Sequence, residues 1–458
     1  MNKGLKVAFL TGVMVVFSCV SYAAETLFDA LAYTYETNPA LEAQRAYLRS
    51  VDERVGQAKA GWRPTIAAEG NATHVDQEYK NYPQMDDFSY RDEMYDAGIT
   101  LTQPIFSGFK TTSGVDYAET VVLQERENMR ATEQNILLSA ATAYVDVIRD
   151  RALLDLQKNQ EQVLARHLKS YQKRFKVGDL TKTDVAQSEA RLEGAKANRI
   201  NAEGNLETSI ATYVSLVGKK PPQKTEINNF NKMLPKDLKL SLQEMELHNP
   251  AIKAAEFTNE AAKYNITLQR GDLLPSLSVS AGTGYQWGQP VPYLDDKYDG
   301  NYWQVGAKLS IPLYQGGAEY ARVREAKQLA NQARINLEQV KRDIARSTTQ
   351  AWEQYQSSKA SIASIEAQIK ASKMALDGVI READVGSRTV LDVLDAEQEY
   401  LNYRVNLVTA QRNMTVAALN LLASIGKMTA ASLNLNVAQY HPEDYYNDVS
   451  GKWIGTGI

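Results

Sequence analysis

Cysteine and histidine are scarce: the 458-residue chain has one cysteine and four histidines. They are too few for a disulfide framework or a cysteine-rich zinc site, and the histidines show no metal-ligand spacing. No Walker sequence, dinucleotide-binding glycine pattern or Gly-x-Ser-x-Gly motif occurs. We therefore predict no catalytic residue, no cofactor-binding residue and no metal ligand, and the chain is not expected to be an enzyme.

Neither sign of charge dominates, since 51 Lys and Arg oppose 55 Asp and Glu, with a net charge of −4. This balance excludes the broad basic surface of a nucleic-acid-binding protein. Glycine (26) and proline (13) are also scarce for this length, which favours long uninterrupted elements. Beyond the first 23 residues no apolar run reaches 18 residues, so no transmembrane helix is predicted there.

Residues 1–23 have the pattern of a secretory signal peptide. A basic start precedes the apolar run Val7–Val20, and small residues then lead to a predicted cleavage site after Ala23. A lipoprotein signal with Cys19 as the modified residue is the alternative, and the bulky Phe17 nearby argues against it. Cleavage after Ala23 would remove two lysines and the cysteine, taking the net charge from −4 to −6.

The remaining chain contains the same sequence pattern twice. Four short matches recur in the same order at offsets of 208 or 211 residues, which indicates an internal duplication. They are Asn38-Pro39-Ala40 with Asn249-Pro250-Ala251, Pro64 with Pro275, Pro104–Gly108 with Pro312–Gly316, and Val177–Val185 with Val385–Val393. We predict a first repeat over 24–225, a second over 226–427, and a tail over 428–458 that packs on the helical region.

Each repeat is predicted to contain a helix of about 25 residues, two strands, and two long helices rich in good helix formers. The long helices are predicted at Thr112–Lys176, Thr183–Val217, Glu319–Asp384 and Thr389–Ile425. The strands are predicted at about 65–79, 94–106, 275–288 and 301–313. The longest helix would span about 100 Å at 1.5 Å per residue.

Apolar and polar residues alternate along the strands. Residues Leu277, Val279, Ala281, Thr283, Tyr285 and Trp287 share one face of the third strand, and serines, glycines and a glutamine share the other. Such strands with Tyr and Trp near their ends are typical of outer-membrane barrels. The alternative is a soluble antiparallel sheet with one buried face.

Four strands are too few to close a barrel, because the smallest bacterial single-chain barrels have eight. An open edge in lipid would leave backbone N–H and C=O groups without partners. Two chains would supply eight strands and three chains twelve. We favour three, because the small inward Ser and Gly residues suggest an aqueous lumen.

The motif Val385–Ala396, with its weaker copy Val177–Val185, resembles the TolC-type outer-membrane efflux and type I secretion channel family. The resemblance covers nearly all of the mature chain. It implies a mostly α-helical fold with a membrane β-barrel: a homotrimer with a twelve-stranded barrel in outer-membrane lipid and a coiled-coil tunnel across the periplasm of a Gram-negative bacterium. It also implies docking to a periplasmic adaptor protein and an inner-membrane ABC or proton-driven transporter, without catalysis.

The resemblance assigns roles to individual residues. Asp392 and Asp395 match the pair that lines the periplasmic constriction, and their i, i+3 spacing puts them on one helix face. Arg388 matches the basic residue of a closure latch, with Thr183 and Asp184 as its partners. Each role has a purely structural alternative. The aspartates could lie on a solvent-exposed helix face, and Arg388 could form an i, i+4 ion pair with Asp392.

The turns between long helices match the family's adaptor-docking tips, and we expect docking at Val177, Gly178, Val385, Gly386 and Ser387. The two glycines are also expected to cap helices. At Ala383 the sequence departs from well-known family members, which carry a tyrosine there, so the mouth is expected to close less firmly.

The functional prediction is an exit duct for efflux of small molecules or for type I protein secretion. The alternative is a periplasmic coiled-coil adaptor or scaffold without a barrel. A secreted hydrolase has no residue constellation to support it. The sequence leaves open the cargo, the transporter and the adaptor.

Overall fold

The computed structural model describes residues 25–80, 88–223, 225–226, 230, 233–288 and 298–457. The predicted signal peptide, with Cys19, lies outside the described residues. The first half of the chain contains β1 (Glu25–Thr26), α1 (Leu27–Thr37), α2 (Pro39–Lys59), β2 (Thr65–Tyr79), β3 (Phe88–Ser107), α3 (Lys110–Lys176) and α4 (Lys182–Val217). The second contains β4 (Thr225–Glu226), α5 (Leu238–His248), α6 (Pro250–Arg270), β5 (Ser276–Gly288), β6 (Tyr298–Ser310), α7 (Ala318–Asp384) and α8 (Val390–Ser424), and α9 (Pro442–Val449) follows.

Two long helical hairpins form the body of the chain. Helices α3 and α7 have 67 residues each and therefore extend about 100 Å. Helix α4 folds back along α3, and α8 folds back along α7. The predicted bounds of all four helices agree with the structure to within two residues. None of the helices among the described residues has the length and apolar character needed to cross a bilayer.

The largest apolar core lies where α1 and α5 pack around the long helices. It contains buried side chains from both halves of the chain, such as Leu31, Leu137, Tyr213, Ile252 and Leu421. Each such side chain contributes about 1.5–3 kcal/mol by leaving water. The core therefore holds the two hairpins together around their middle.

The duplication is visible at the level of hydrogen bonds. Asn38 caps α2, and its side-chain amide donates to the Leu216 carbonyl at the end of α4 (2.9 Å). Asn249 caps α6, and its amide donates to the Ser424 carbonyl at the end of α8 (2.8 Å). Each Asn-Pro pair thus joins the start of a short helix to the end of a long hairpin.

The four long strands form one antiparallel sheet in the order β2-β3-β5-β6. The register aligns Ile66, Leu101, Ala281 and Val305 in one row across the sheet. A neighbouring row holds Ala68, Ile99, Thr283 and Trp303, so the mostly apolar faces predicted for the individual strands lie together on one side of the sheet. In the part of the chain that the structure describes, β2 and β6 each pair along one side only.

Three strand bounds differ from the prediction by three residues or more, and one of them is the start of β6, which lies at Tyr298 rather than near 301. Strand β3 begins at Phe88 rather than near 94, because it pairs residue by residue with β2 as far as Tyr79. Residues 88–93 are mostly polar, so apolar alternation does not reveal this part of the strand. Strand β6 ends at Ser310 rather than near 313, and Pro312, which lacks an N–H, cannot donate to a ladder there.

The tail lies against α2 and α3. The Tyr445 hydroxyl donates to Glu53 (2.7 Å), and the Tyr446 hydroxyl donates to Glu119 (3.3 Å). The Tyr440 N–H donates to the Tyr35 hydroxyl (3.0 Å). These bonds hold the tail against α1, α2 and the first third of α3.

Candidate functional site at the helical tips

The turns that join α3 to α4 and α7 to α8 are built alike. Gly178 (φ +85°) and Gly386 (φ +80°) take the left-handed conformation that ends the long helix. The Ser387 N–H then donates back to the Glu382 carbonyl (2.9 Å), and the equivalent bond closes the first turn. The expected capping role of both glycines is therefore present in the structure.

A capping box starts the return helix in each turn. The Thr389 N–H and hydroxyl both donate to Asp392 Oδ2, at 2.9 and 2.8 Å, and the Asp392 N–H donates to the Thr389 hydroxyl at 3.2 Å. Thr181 and Asp184 form the same set of bonds. The two donors from Thr389 lower the pKa of Asp392, so this carboxylate is ionised near neutral pH.

Asp395 forms an ion pair with the other half of the chain. The Arg191 guanidinium of α4 donates to Asp395 Oδ1 at 2.5 Å, across a sequence separation of 204 residues. Both side chains remain partly exposed. Sequence patterns do not predict Arg191, because nothing local indicates which face of α4 meets α8.

Arg388 contacts a different residue from the predicted ones. Its Nε donates to Glu382 Oε2 at 2.9 Å, within the same turn. Among the described residues it has no bond to Thr183 or Asp184, since the turn directs it back over its own helix and Asp184 Oδ2 is engaged in the capping box. The closure latch stays a prediction about the assembled mouth.

A cleft of about 290 Å³ separates the two turns. Asp184, Arg388 and Tyr171 line it, and so does Ala383, the position of the departure from the family pattern. The methyl group of Ala383 offers no hydroxyl to bond across the cleft. Two of the three residues predicted to close the mouth, Arg388 and Asp184, therefore line one cleft, and the Ala383 side chain forms no hydrogen bond across it.

A small apolar core lies next to this cleft and joins the two hairpins. Leu164 and Tyr171 of α3, Leu192 of α4, and Val390 and Leu394 of α8 are buried together. Burial raises the pKa of the Tyr171 hydroxyl. The tips are thus one packed unit, and they can present a surface of fixed shape.

The outermost residues of the tips are apolar and uncovered. Val177 is 80% exposed and Val385 is 81% exposed. A Cβ added at Gly178 or Gly386 would meet no atom within 4 Å. Two exposed valine side chains at equivalent positions of the two turns are suited to contact with another protein. No cluster of three or more potential metal ligands occurs among the described residues.

The same architecture is found in known proteins. Residues 33–219 and 241–427 each match the family described as outer membrane efflux protein, so the family pattern occurs twice. The chain belongs to this family. It is similar to the outer membrane efflux protein BepC of Brucella suis, with 35% identity over 94% of the chain and 92% of BepC. It is 25% identical to the outer membrane protein TolC of Escherichia coli, over 90% of the chain and 84% of TolC.

Among solved structures, the CmeC outer membrane channel of Campylobacter jejuni aligns with a TM-score of 0.79, at 15% identity over 93% of the chain and 89% of CmeC. The family membership locates this protein in the outer membrane of a Gram-negative bacterium. The expected fold class, a long helical body with four antiparallel strands in a duplicated chain, is confirmed. The relatives are channel proteins rather than enzymes.

Proposed function

We propose that three copies of this chain form an outer-membrane channel whose helical tunnel is an exit duct. The observation that carries the proposal is the sheet with one mostly apolar face and two edges, β2 and β6, that each pair on one side only. In lipid, each unpaired N–H or C=O group at such an edge costs several kcal/mol. Neighbouring chains remove this cost if β6 of one pairs with β2 of the next.

A barrel of three copies suits both faces of the sheet, because the apolar face contacts lipid and the polar face lines a water-filled interior. Two copies would give eight strands, whose interior is filled by side chains, whereas twelve leave room for water. The polar face carries small residues such as Ser278, Ser280 and Gly282, which suit a wide lumen. The proposed channel conducts passively and catalyses no reaction.

Two neighbouring substitutions on β6 test the barrel. Val305→Lys puts a charge on the apolar face, where a lysine at mid-bilayer costs about 2–4 kcal/mol. Gln304→Lys puts the same charge on the polar face. We expect Val305→Lys to abolish detergent-extractable trimer in outer membranes, while Gln304→Lys assembles and shifts the ion selectivity of the pore in planar bilayers. Normal assembly of both variants, or a parent protein that is a detergent-free monomer, would contradict the barrel.

We propose that the tips dock a periplasmic adaptor, which links the duct to an inner-membrane transporter. The exposed Val177 and Val385, with Gly178, Gly386 and Ser387 between them and the return helices, supply the contact surface. A photo-crosslinking residue at Val385 should capture a periplasmic adaptor in cells. The same residue at Ile335, which is exposed on α7 about 75 Å from the tip, should not. Equal capture at both positions would contradict docking at the tip.

At the mouth, we propose that Asp392 and Asp395 line the constriction and that Arg388 reaches Thr183 and Asp184 of a neighbouring turn when the trimer closes. Arg388 and Asp184 line the same cleft, and the i, i+3 spacing of Asp392 and Asp395 puts both on one face of α8; both observations support this assignment. The cargo class that we favour is small molecules, because the matched family and BepC are both described by efflux. Type I protein secretion is the alternative cargo.

A further inference from the structure

The segment after α9 brings two exposed apolar side chains to the base of the sheet. Trp453 is 67% exposed and Ile454 is 93% exposed. Arg63 fixes this segment, since its Nη1 donates to the Lys452 carbonyl at 2.6 Å and its guanidinium lies 4.9 Å from the centre of the Trp453 ring. Arg63 stands two residues before Thr65, where β2 begins. The tail is therefore held at the level where the chain enters the sheet.

Other exposed aromatic residues lie at the same level. Trp62 is 50% exposed, and its carbonyl accepts a bond from Gln103 of β3 (3.0 Å). Phe109, also exposed, lies two residues after the end of β3, and its ring packs edge-on against that of Phe106, with 5.1 Å between the ring centres. Aromatic side chains gather in this way at the interface between membrane and water, both in barrels and in helical proteins.

Two cations beside Trp453 lack a carboxylate partner among the described residues. In the described part of the chain, Arg63 and Lys452 form no ion pair with a carboxylate: Arg63 bonds the Lys452 carbonyl, and the Lys452 ammonium bonds the Gly457 carbonyl (3.2 Å). Cations next to exposed aromatic rings complement the phosphates of lipid headgroups. A neighbouring protein surface would need a matching carboxylate, whereas phospholipid supplies negative charge all along the rim.

We propose that Trp453 and Ile454 insert among the phospholipid headgroups and upper acyl chains of the periplasmic leaflet of the outer membrane. The tail thereby joins the aromatic rim of the channel and links the helical body to the lipid surface. This inference rests on the proposed function, because the segment reaches lipid only if the sheet spans the membrane. A neighbouring copy of the chain is the competing occupant.

The test uses the full-length channel with Cys19→Ser, which leaves no native cysteine. Ile454→Cys is labelled with an environment-sensitive nitrobenzoxadiazole probe and reconstituted into phosphatidylethanolamine–phosphatidylglycerol vesicles that contain brominated phosphatidylcholine. Leu309→Cys, on the apolar face of β6, is the positive control. Met374→Cys, exposed on α7 about 84 Å from the start of that helix, is the negative control.

We expect the probe at 454 to be quenched by brominated lipid at least roughly twofold more than the probe at 374, as for a group in the membrane interface. Quenching at 309 but not at 454 would overturn this inference and leave the channel intact. If the unquenched probe at 454 has blue-shifted emission, a neighbouring copy covers the segment; if it does not, the segment lies in water. Absence of quenching at 309 would overturn the proposed function, and this inference with it.

Discussion

Asp52 on α2 is a fully buried carboxyl group whose two oxygens have no hydrogen-bond partner among the described residues. Burial is the main reason that its pKa rises to about 6; Arg126 opposes this rise and Glu53 adds to it. Tyr445 and Tyr446 of α9 lie close enough to Asp52 to interact with its charge, and the Tyr446 hydroxyl also donates to Glu119 of α3. The tail therefore covers a carboxyl group that prefers to keep its proton.

The raised pKa of Asp52 makes the folded state less stable at high pH than at low pH. The folded chain holds a proton on Asp52 that the unfolded chain releases from about pH 4, so the folded state loses stability as pH rises from 4 to 6. Asp52→Asn removes this loss. We expect it to raise the apparent unfolding temperature in detergent at pH 8, through a gain on the order of 1–3 kcal/mol, and to change it little at pH 4.

The adjacent Glu53→Gln is the comparison variant, because Glu53 bonds Tyr445 and is the smallest of the three contributions to the pKa of Asp52. Its pH-dependent gain should be much smaller than that of Asp52→Asn. An equal effect of Asp52→Asn at both pH values would show that the carboxyl group is not protonated in the folded state.

Single residues show where sequence reasoning reaches its limit. The Thr-x-x-Asp spacing at Thr389 and Asp392 is a capping-box pattern, so the role of Asp392 at the start of α8 is readable from sequence. The pairing of Asp395 with Arg191 is not, because it joins helices from different halves of the chain. Likewise, the choice of Glu382 by Arg388 depends on the geometry of the turn rather than on residue type.

At the scale of elements, the repeat of apolar residues along the sequence predicts a helix or strand correctly where only one face of that element is covered. The long helices and the alternating middle of each strand follow from residue pattern, because helix propensity and the membrane-facing side both leave a repeat in the sequence. The first six residues of β3 show no such repeat, because only their backbone pairing with β2 makes them part of the strand.

Glycines on the polar face of the sheet make room for one aromatic ring. The Tyr302 ring lies across Gly284, and its hydroxyl donates to Asp96 two strands away (3.1 Å). A Cβ on Gly284 would come within 2.6 Å of that ring, whereas a Cβ on Gly300, on the same face of β6, would meet nothing within 4 Å. The space above Gly284 is therefore needed for the bond between strands.

Gly284→Ala should displace Tyr302 and break its bond to Asp96, at a cost of about 1–3 kcal/mol per chain from overpacking. We expect the oligomer to dissociate at a lower temperature in detergent, as followed by size-exclusion chromatography after heating. Gly300→Ala is the matched control and should behave as the parent. The idea fails if both alanine variants dissociate at the same temperature.

At the scale of the whole molecule, closure depends on neighbouring copies. The single chain ends its sheet at two open edges, and strand count alone predicts that other copies complete it. The arrangement of charge around a shared axis follows only partly from sequence. The motif supplies two aspartates per chain, but the guanidinium of Arg191 that offsets one of them is revealed only by the packing of α4 on α8.

These opposed charges predict two opposite changes in ion selectivity. Asp392→Asn with Asp395→Asn removes the negative charge, while the amide oxygen at 392 can still accept the capping bonds of Thr389. Because carboxylate rings favour cations, the double variant should lower the ratio of cation to anion permeability and weaken block by trivalent cations. Arg191→Gln releases Asp395 from its partner and should raise the ratio. The measurement is the reversal potential of single channels in planar bilayers under a potassium chloride gradient, at pH 7. If both variants keep the reversal potential of the parent, these side chains do not line the conducting constriction.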